Sequence, residues 1–554
     1  MNGSKPDGPP GEQGWPTSIR MRRFRSMSSS PSPLPSPHGR GRSWSWAVDQ
    51  SNAHRISPGP CTLFPLSGEM VRVRGYAASA ARIFWTRHHG PPGGKSLIEK
   101  LLRVFVFGLL AMAPFSLRAA ESAPPIEVGI SIRDITPEGP IWLAGYAARK
   151  HPSEKIDSPL MVQAIAFKGG DERVVLVSLD NCEVSHAFIA PAVAELTTQH
   201  HLKPGALMVV SSHTHSAPVL ENTLTSMYNL SPADEEQIHK YSAFLKSKLA
   251  EVVGAALADL KPARLEHGVG RATFAMNRRV YNGDKVDFGE NPDGPVDWDV
   301  PVLKVTGANG AIRAILFGYA CHGTSIAGDD FYIISGDYMA HTRQHLEAHY
   351  PGATAVYLTG MGADSNPSPR GTLLDAKRHG LELAGAVAGV LSRPMRPVQG
   401  LLKLAYAEAE LPFADPPPRD QIEKDSRSDD VYIRNRATGY LKRLDAGEPL
   451  PASLKLPLAA IRIGDELTFV AMGGEDVVDY SKRFKRIFAA DHPWLIGYAY
   501  EVPCYIPSVR ILKEGGYEAQ SSLIYYGIYG PFRAGIEGIL VKQVTELMDR
   551  VRNQ

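Results

Sequence analysis

Cysteine is scarce in this chain, and so are apolar segments long enough to cross a membrane. The 554 residues include 4 cysteines, of which Cys182, Cys321 and Cys504 lie beyond the N-terminal region. Three cysteines without a short spacing exclude a disulfide framework and a thiolate zinc site. The apolar run at 104–113 is well short of the roughly 20 residues that a spanning helix needs. We therefore expect no transmembrane helix in the mature chain.

An excess of positive charge is also lacking outside the N-terminal region. Residues 1–119 hold 16 of the 60 Lys and Arg but only 5 of the 58 Asp and Glu. The remainder has 44 basic and 53 acidic residues, a formal charge of −9. Such a body lacks the basic footprint of a nucleic-acid-binding protein. The sequence predicts no nucleic-acid partner and leaves the oligomeric state open.

The first 119 residues divide into two segments by composition. Residues 1–94 are rich in Pro, Ser, Gly and Arg, and we interpret them as disordered or as a leader outside the mature protein. Residues 95–119 have a basic start, the apolar run 104–113 and a small-residue cleavage site at 117–119. This pattern is typical of a signal peptide and predicts export. A membrane anchor is the alternative, and a misassigned start codon accounts for the internal position.

From about residue 124 the chain alternates between strand and helix patterns. Short apolar runs bounded by Gly, Asn and Asp predict strands, two pairs of them as hairpins, and a third pair flanks the segment 464–466. The predicted strands are 164–167 with 174–179, 206–210, 302–305 with 312–317, 355–358, and 459–463 with 467–470. The predicted helices are 234–260 and 375–392. We therefore predict an α/β fold, with mixed β-sheets flanked by helices, in one catalytic domain over 124–554.

Two histidines directly follow one predicted strand. His213 and His215 are two residues apart, after the run 206–210. Side chains at i and i+2 of a strand point to the same face, so both imidazoles are expected to face one cavity. Neutral imidazole is a favoured zinc ligand. The alternative is a pair of hydrogen-bonding loop histidines.

A third histidine and a carboxylate occupy similar positions in the pattern. His322 follows the strand 312–317 and its continuation, and Glu475 follows the strand that begins at Leu467. Two histidines and a carboxylate form a known catalytic zinc set, which leaves a coordination position for water. Glu475 has an alternative interpretation as an acidic residue in the first turn of a helix. The pattern predicts a zinc site built at strand ends.

Several short motifs resemble those of the neutral, non-lysosomal ceramidase family. They occur in the family's order across about 126–535, which is far more specific than any one of them alone. The motifs are VGISIRDITP (128–137), LAGY (143–146), HTHSAP (213–218), NR (277–278), HGTS (322–325), GE (474–475), and YIPS (505–508) with YE (517–518).

The resemblance implies one zinc ion per chain and a set of site residues. The implied zinc ligands are His213, His322, Glu475 and Tyr505. His215 is implied as the proton carrier, and Arg278 and Tyr517 as donors to the developing oxyanion.

Tyr505 is the least typical of the implied ligands. Its alternative role is a buried aromatic residue with a hydrogen-bonded hydroxyl. Tyr498 and Tyr500 are rival candidates for the same position.

Two departures from the family pattern bear on the substrate. The family's GDVSPN loop carries a serine, and the corresponding segment 362–367 places Asn366 there, beside Asp364 and Ser365. We assign Asp364 and Asn366 to the substrate pocket. The chain also ends soon after the catalytic motifs, and we expect it to lack the family's additional C-terminal β-domain.

The sequence as a whole predicts a zinc-dependent hydrolase of an amide bond. The expected substrate is an N-acylated amine, either a lipid such as a sphingolipid or a small molecule. One alternative retains the metal site but acts on another amide or on an ester in the cell envelope. Another alternative is a non-catalytic protein of the same fold.

Overall fold

The structure, a computed structural model, describes residues 126–554. The leader at 1–94 and the signal-like segment at 95–119 lie outside the described residues. Cys182, Cys321 and Cys504 are all buried and free, in agreement with the sequence analysis.

The described part of the chain contains nine α-helices and twenty β-strands. The helices are α1 His186–Gln199, α2 Pro232–Ala258, α3 Asp337–His349, α4 Leu373–Leu391, α5 Arg419–Asp425, α6 Val431–Asp445, α7 Val478–Ile487, α8 Val509–Glu514 and α9 Ile536–Asn553. The first ten strands are β1 Glu127–Asp134, β2 Lys155–Ile156, β3 Met161–Gly169, β4 Glu172–Leu179, β5 Leu207–Ser211, β6 Lys261–Arg271, β7 Ala275–Asn282, β8 Lys285–Asn291, β9 Asp299–Gly307 and β10 Ile312–Tyr319. The others are β11 Ile333–Ile334, β12 Thr354–Thr359, β13 Ser365–Pro367, β14 Arg396–Val398, β15 Leu402–Pro412, β16 Ser453–Ile463, β17 Leu467–Met472, β18 Glu475–Asp476, β19 Pro493–Ile496 and β20 Tyr505–Ile506.

The largest sheet has nine strands. Its order is β12-β10-β9-β6-β1-β3-β4-β5, with β14 paired to β6. The predicted hairpins β3–β4 and β9–β10 are both antiparallel pairs of this sheet, whereas β4–β5 and β10–β12 are parallel. The mixed sheet and its flanking helices confirm the predicted fold class.

The two edges of this sheet come close to each other. The hydroxyl of Thr359, at the end of β12, donates to the carbonyl of Ser211, at the end of β5, at 2.6 Å. The hydroxyl of Ser178 in β4 donates to the carbonyl of Tyr357 in β12 at 2.6 Å. The sheet is therefore curved, and the segments that follow β5, β10 and β12 meet at one end of it.

A second sheet brings the C-terminal segments to the same place. It has four strands in the order β15-β16-β17-β19, and the two strands predicted at 459–463 and 467–470 pair antiparallel in it as β16 and β17. Apolar residues on one side of α9, such as Ile536, Leu540 and Val544, are buried in the core next to this sheet. The short strands β18 and β20 pair just beyond the end of β17.

Capping residues fix where the two long predicted helices begin. Ser231 before α2 and Thr372 before α4 each accept from the backbone of the third helical residue, and the aspartate there bonds back to the cap. Each capping residue stabilises its helix by about 1 kcal/mol. The helices begin two residues before the starts that we predicted, at 234 and 375.

Candidate active site

The histidines of the HTHSAP segment lie in the loop that follows β5. β5 ends at Ser211, and His213 has a positive φ of 59°. Thr214 forms a β-bridge with Gly323, and the backbone N–H of His215 donates to the Gly323 carbonyl at 3.0 Å. The rings of His213 and His215 lie edge to face with centroids 4.8 Å apart. They share one site, but a loop turn brings them together rather than the alternation of side chains along a strand.

His322 reaches the same site from β10. Its backbone N–H donates to the carbonyl of Ser365 at 3.0 Å, which connects the segment to β13. The ring centroids of His213 and His322 are 4.5 Å apart, with the planes at 79°. Histidines from the ends of two separate strands therefore face each other.

Glu475 and Tyr505 are brought together by the pairing of two short strands. β18 and β20 are parallel, and Glu475 lies opposite Tyr505. Gly474, just before β18, has a φ of 87°, and a side chain there would press against Ile506. The sequence GE is therefore needed for the turn as well as for the carboxylate.

Three potential metal ligands converge in this site. Oε2 of Glu475 lies 3.2 Å from Nε2 of His213 and 3.2 Å from Nε2 of His322. Nδ1 of His213 donates to the carbonyl of Cys182 at 2.8 Å, which leaves Nε2 with its lone pair towards the carboxylate. The three side chains are at most 3% exposed. Two imidazole nitrogens and one carboxylate oxygen at these distances fit a zinc ion.

The electrostatics of the site favour the metal-binding protonation states. Burial raises the pKa of Glu475, but His213 and His322 outweigh burial and hold that pKa well below its ordinary value. Burial, followed by Arg278 and His213, lowers the pKa of His322 well below its ordinary value. An ionised Glu475 beside a neutral His322 is the state in which these two groups bind a metal.

His215 borders the three ligand atoms without joining them. Its Nε2 lies 3.2 Å from Nε2 of His213, and burial is the first cause that lowers its pKa well below the ordinary value. Its Nδ1 is buried without a hydrogen-bond partner in the described part of the chain. This edge of the ring approaches Gly145, whose φ is 90° and where any Cβ would overlap Nδ1. The glycine of the LAGY motif thus makes room for His215.

Arg278 of β7 directs its donors towards the same site. Its Nε donates to Glu518 at 2.8 Å and its Nη2 donates to the Tyr505 hydroxyl at 3.0 Å. Its Nη1 lies 3.1 Å from Nε2 of His322 and donates to Oδ1 of Asn366 at 3.2 Å. A buried guanidinium, fixed from behind by Glu518, therefore lies next to the potential ligands.

Of the three candidate tyrosines, two lie at the ligand set. The hydroxyl of Tyr505 is 3.1 Å from Nε2 of His322. The hydroxyl of Tyr498 donates to Oε2 of Glu475 over a longer 3.4 Å. The hydroxyl of Tyr500 instead bonds a backbone carbonyl away from the site.

Tyr517 packs next to these residues and is half-buried. Its ring lies 5.4 Å from that of Tyr505 and 4.8 Å from that of Phe288, edge to face in both cases. The guanidinium carbon of Arg278 is 5.6 Å from the centre of the Tyr517 ring. Within residues 126–554 the Tyr517 hydroxyl has no hydrogen-bond partner, so it is free to donate to a ligand.

The two residues that we assigned to the substrate pocket have different surroundings. Asp364 accepts from the backbone N–H of Val478 at 2.7 Å and from Nδ2 of Asn277 at 3.1 Å, and burial raises its pKa to about 6. It fixes the start of α7 to β7. Asn366 instead borders the site, where its Oδ1 accepts from Arg278 and, at 3.4 Å, from Thr324.

Two further residues touch this arrangement and were not predicted from the sequence. The hydroxyl of Tyr526 donates to Oε1 of Glu475 at 2.5 Å and lies 3.2 Å from Oε2 of Glu183. Glu183 is 3% exposed and immediately follows Cys182, whose carbonyl accepts from His213. Both residues lie in loops outside the motifs, where hydrophobic periodicity gives no signal. Glu183 lies four residues after the end of the buried strand β4, and this position near a strand end was the one visible hint.

Comparisons with known proteins bear on the family and on the fold. The family described as "Neutral/alkaline non-lysosomal ceramidase, N-terminal" matches residues 126–363. A structure titled "Ceramidase complexed with C2" is similar with a TM-score of 0.58 and 19% identity, over 77% of this chain and 76% of that one. A neutral ceramidase from Pseudomonas aeruginosa has a TM-score of 0.56 and 20% identity, over 74% of this chain and 72% of the other. No protein of curated function matches the sequence.

These matches confirm the resemblance that the motifs predicted. The matched segment contains His213, His215, Arg278 and His322, and the structural similarity extends beyond it. By sequence over residues 126–363, and by fold over about three quarters of its length, the chain resembles the neutral/alkaline non-lysosomal ceramidases.

Proposed function

We propose that this protein is a zinc-dependent hydrolase that cleaves the amide bond of an N-acylated amine. The observation that carries the proposal is the convergence of Nε2 of His213, Nε2 of His322 and Oε2 of Glu475 in a buried site. Tyr505 is the proposed fourth ligand, since its hydroxyl is 3.1 Å from Nε2 of His322. We propose one zinc ion per chain.

When bound, zinc supplies Lewis-acid chemistry, which lowers the pKa of water and polarises a carbonyl. His215 is the proposed proton carrier. Its Nε2 faces the ligand set, and burial keeps the imidazole neutral and therefore able to accept a proton from the attacking water. The same nitrogen then gives the proton to the leaving amine. One such group contributes about 10²- to 10⁴-fold in rate.

Arg278 and Tyr517 are the proposed donors to the substrate oxygen as negative charge develops on it. Arg278 is held by Glu518 and is therefore directed before the substrate arrives. The ring of Tyr517 packs against that of Tyr505, the proposed fourth ligand. Each well-placed donor contributes about 3–4 kcal/mol to transition-state stabilisation.

The presence of Asn366 supports the proposal that the substrate has a head group other than that of ordinary ceramide. Its side chain is longer than that of the serine expected at this position from the family, and its Oδ1 accepts a hydrogen bond from Nη1 of Arg278. A site that hydrogen-bonds one head group rejects analogues that leave its polar groups unpaired. The second candidate function is therefore hydrolysis of another small amide or ester by the same residues.

The test combines metal content with hydrolysis in single variants. His213→Ala, His322→Ala and Glu475→Ala should each lose bound zinc and activity on a panel of N-acyl lipids, N-acyl sugars and small esters. His239→Ala is the matched control, because the His239 side chain is 60% exposed on α2 and pairs with Glu221 rather than with a site residue. Full zinc content in a His213→Ala/His322→Ala double variant would overturn the proposal.

We further propose that the protein is exported. The basis is the sequence pattern at 95–119, which predicts a mature chain that starts near Ala120 or Glu121. Among the described residues, no helix combines the length and the apolar character that crossing a membrane requires. N-terminal sequencing of the protein from its native host checks this, and recovery of a chain that begins at Met1 would contradict it.

A further inference from the structure

A single hydroxyl lies between two buried carboxylates beside the proposed metal site. The Tyr526 hydroxyl is 2.5 Å from Oε1 of Glu475 and 3.2 Å from Oε2 of Glu183. Glu475 is 2% exposed and Glu183 is 3% exposed. In the described part of the chain, no cation is paired with the Glu183 side chain. Such a pair of carboxylates needs a hydrogen-bonding arrangement that avoids two uncompensated charges.

The number of protons determines that arrangement. A tyrosine hydroxyl has one proton, so it can donate to only one of the two carboxylates. The shorter contact assigns that proton to Glu475. Glu183 must then bring its own proton to donate to the phenol oxygen, and burial followed by the nearby Glu475 raises the pKa of Glu183 well above its ordinary value. The chain of donors runs from Glu183 through Tyr526 to Glu475.

This chain assigns different roles to the two oxygens of Glu475. Oε1 accepts from Tyr526, while Oε2 faces Nε2 of His213 and His322 at 3.2 Å. A hydrogen bond to Oε1 competes with coordination through that oxygen, so a metal would be bound through Oε2. A carboxylate bound through one oxygen would take up one coordination position instead of two, which would leave more room at the metal for water or substrate.

We propose that Tyr526, held by Glu183, is a positioning residue that presents Glu475 to the metal through Oε2 alone. The inference rests on the proposed zinc site. The loop that contains Glu183 also positions His213, because the carbonyl of the preceding Cys182 accepts from His213 Nδ1. One loop therefore orients two of the three ligands.

The loop is itself firmly attached to the core. It begins at Asp180, whose buried carboxylate pairs with both terminal nitrogens of Arg343. At its other end the backbone carbonyl of Val184 accepts from Val502 at 2.7 Å. Because both ends are fixed, a change at Glu183 is expected to act through Tyr526 rather than by displacement of the loop.

The experiment measures zinc affinity by chelator competition, together with the visible spectrum of the cobalt-substituted protein. Tyr526→Phe should bind zinc about 10- to 100-fold more weakly, the usual cost of losing a partner behind a ligand. It should also change the cobalt spectrum, because both oxygens of Glu475 become available to the metal. Tyr525→Phe is the control, since this neighbouring half-buried tyrosine contacts Tyr432 rather than Glu475.

Two variants of Glu183 test the direction of donation. Glu183→Gln has a carboxamide that can donate to the phenol oxygen, so it should keep nearly full zinc affinity and the wild-type cobalt spectrum. Glu183→Ala cannot donate, and it should weaken zinc binding towards the level of Tyr526→Phe. Thermal unfolding of the metal-free variants separates a loss of folding from a loss of positioning.

The outcomes distinguish this inference from the proposed function. Wild-type protein without bound zinc would contradict the proposed function. Wild-type protein that binds zinc, together with a Tyr526→Phe variant of equal affinity and unchanged cobalt spectrum, would overturn the positioning role alone. A Glu183→Gln variant as weak as Glu183→Ala would also overturn it, because a neutral donor would then not suffice.

Discussion

Substitution of Glu518 by glutamine tests how the structure holds Arg278 in place. Glu518 is 2% exposed and accepts from Nε of Arg278 at 2.8 Å and from Nη1 of Arg279 at 2.5 Å. Glutamine preserves the size of the side chain but removes its charge and turns one acceptor into a donor. Two buried guanidinium groups then lose their shared counter-ion.

The size of the effect follows from this burial. Loss of one partner from a buried ion pair costs about 3–5 kcal/mol, because the remaining charge is left without compensation. Glu514 stays within 3.0 Å of Arg279, so part of the charge remains balanced. We therefore expect Glu518→Gln to lower the free energy of unfolding by about 3 kcal/mol, the lower end of that range.

Urea denaturation of the metal-free protein measures this change. Glu514→Gln is the control, because the Glu514 side chain is 22% exposed and its loss is expected to cost about 1 kcal/mol. Glu518→Gln should also reduce the rate of hydrolysis, since Arg278 loses the negative charge that holds it in place. A loss of stability no larger than that of Glu514→Gln would refute the argument that Glu518 is the main counter-ion.

Three further predictions concern individual side chains. His215→Ala should keep zinc and lose about 10²- to 10⁴-fold in rate, and loss of zinc in that variant would make His215 a ligand instead. Asn366→Ser should shift the ratio of hydrolysis rates between ceramide and the preferred substrate, because Nη1 of Arg278 loses its carboxamide acceptor, and an unchanged ratio would contradict this. Burial, then Arg396 and His492, lowers the pKa of His267 to about 4, so stability present above pH 6.5 is lost as the pH falls towards 4. Urea unfolding measures how much the free energy of unfolding drops between pH 7 and pH 4. This drop should be about 3 kcal/mol smaller in His267→Gln than in the wild type. Equal drops in the two proteins would be inconsistent with a neutral buried His267.

Hydrophobic patterns predicted the elements around the site well. The strand 174–179 is observed as Glu172–Leu179, and the strand 355–358 as Thr354–Thr359. These strands are buried on both faces, so their sequences are nearly continuous apolar runs. The order of such runs along the chain does not predict the curvature of the sheet, which brings Thr359 into contact with Ser211. That contact depends on the twist of all the strands between them.

The proximity of His213, His322 and Glu475 could be predicted because each follows the end of a strand. The reason given for His213 and His215 was wrong, since the left-handed backbone of His213 in a loop replaces strand alternation. Tyr526 could not be found from the sequence, because it approaches Glu475 from a loop after a short 3₁₀ helix. Such contacts depend on tertiary packing that no local pattern encodes.

The most direct test of the central claim is an X-ray anomalous difference map of the purified protein at the zinc absorption edge. The account predicts one strong peak per chain, within ligand distance of Nε2 of His213, Nε2 of His322 and Oε2 of Glu475, where these atoms converge. Zinc-loaded protein whose only peak lies elsewhere, or that shows no peak between these three atoms, would contradict it.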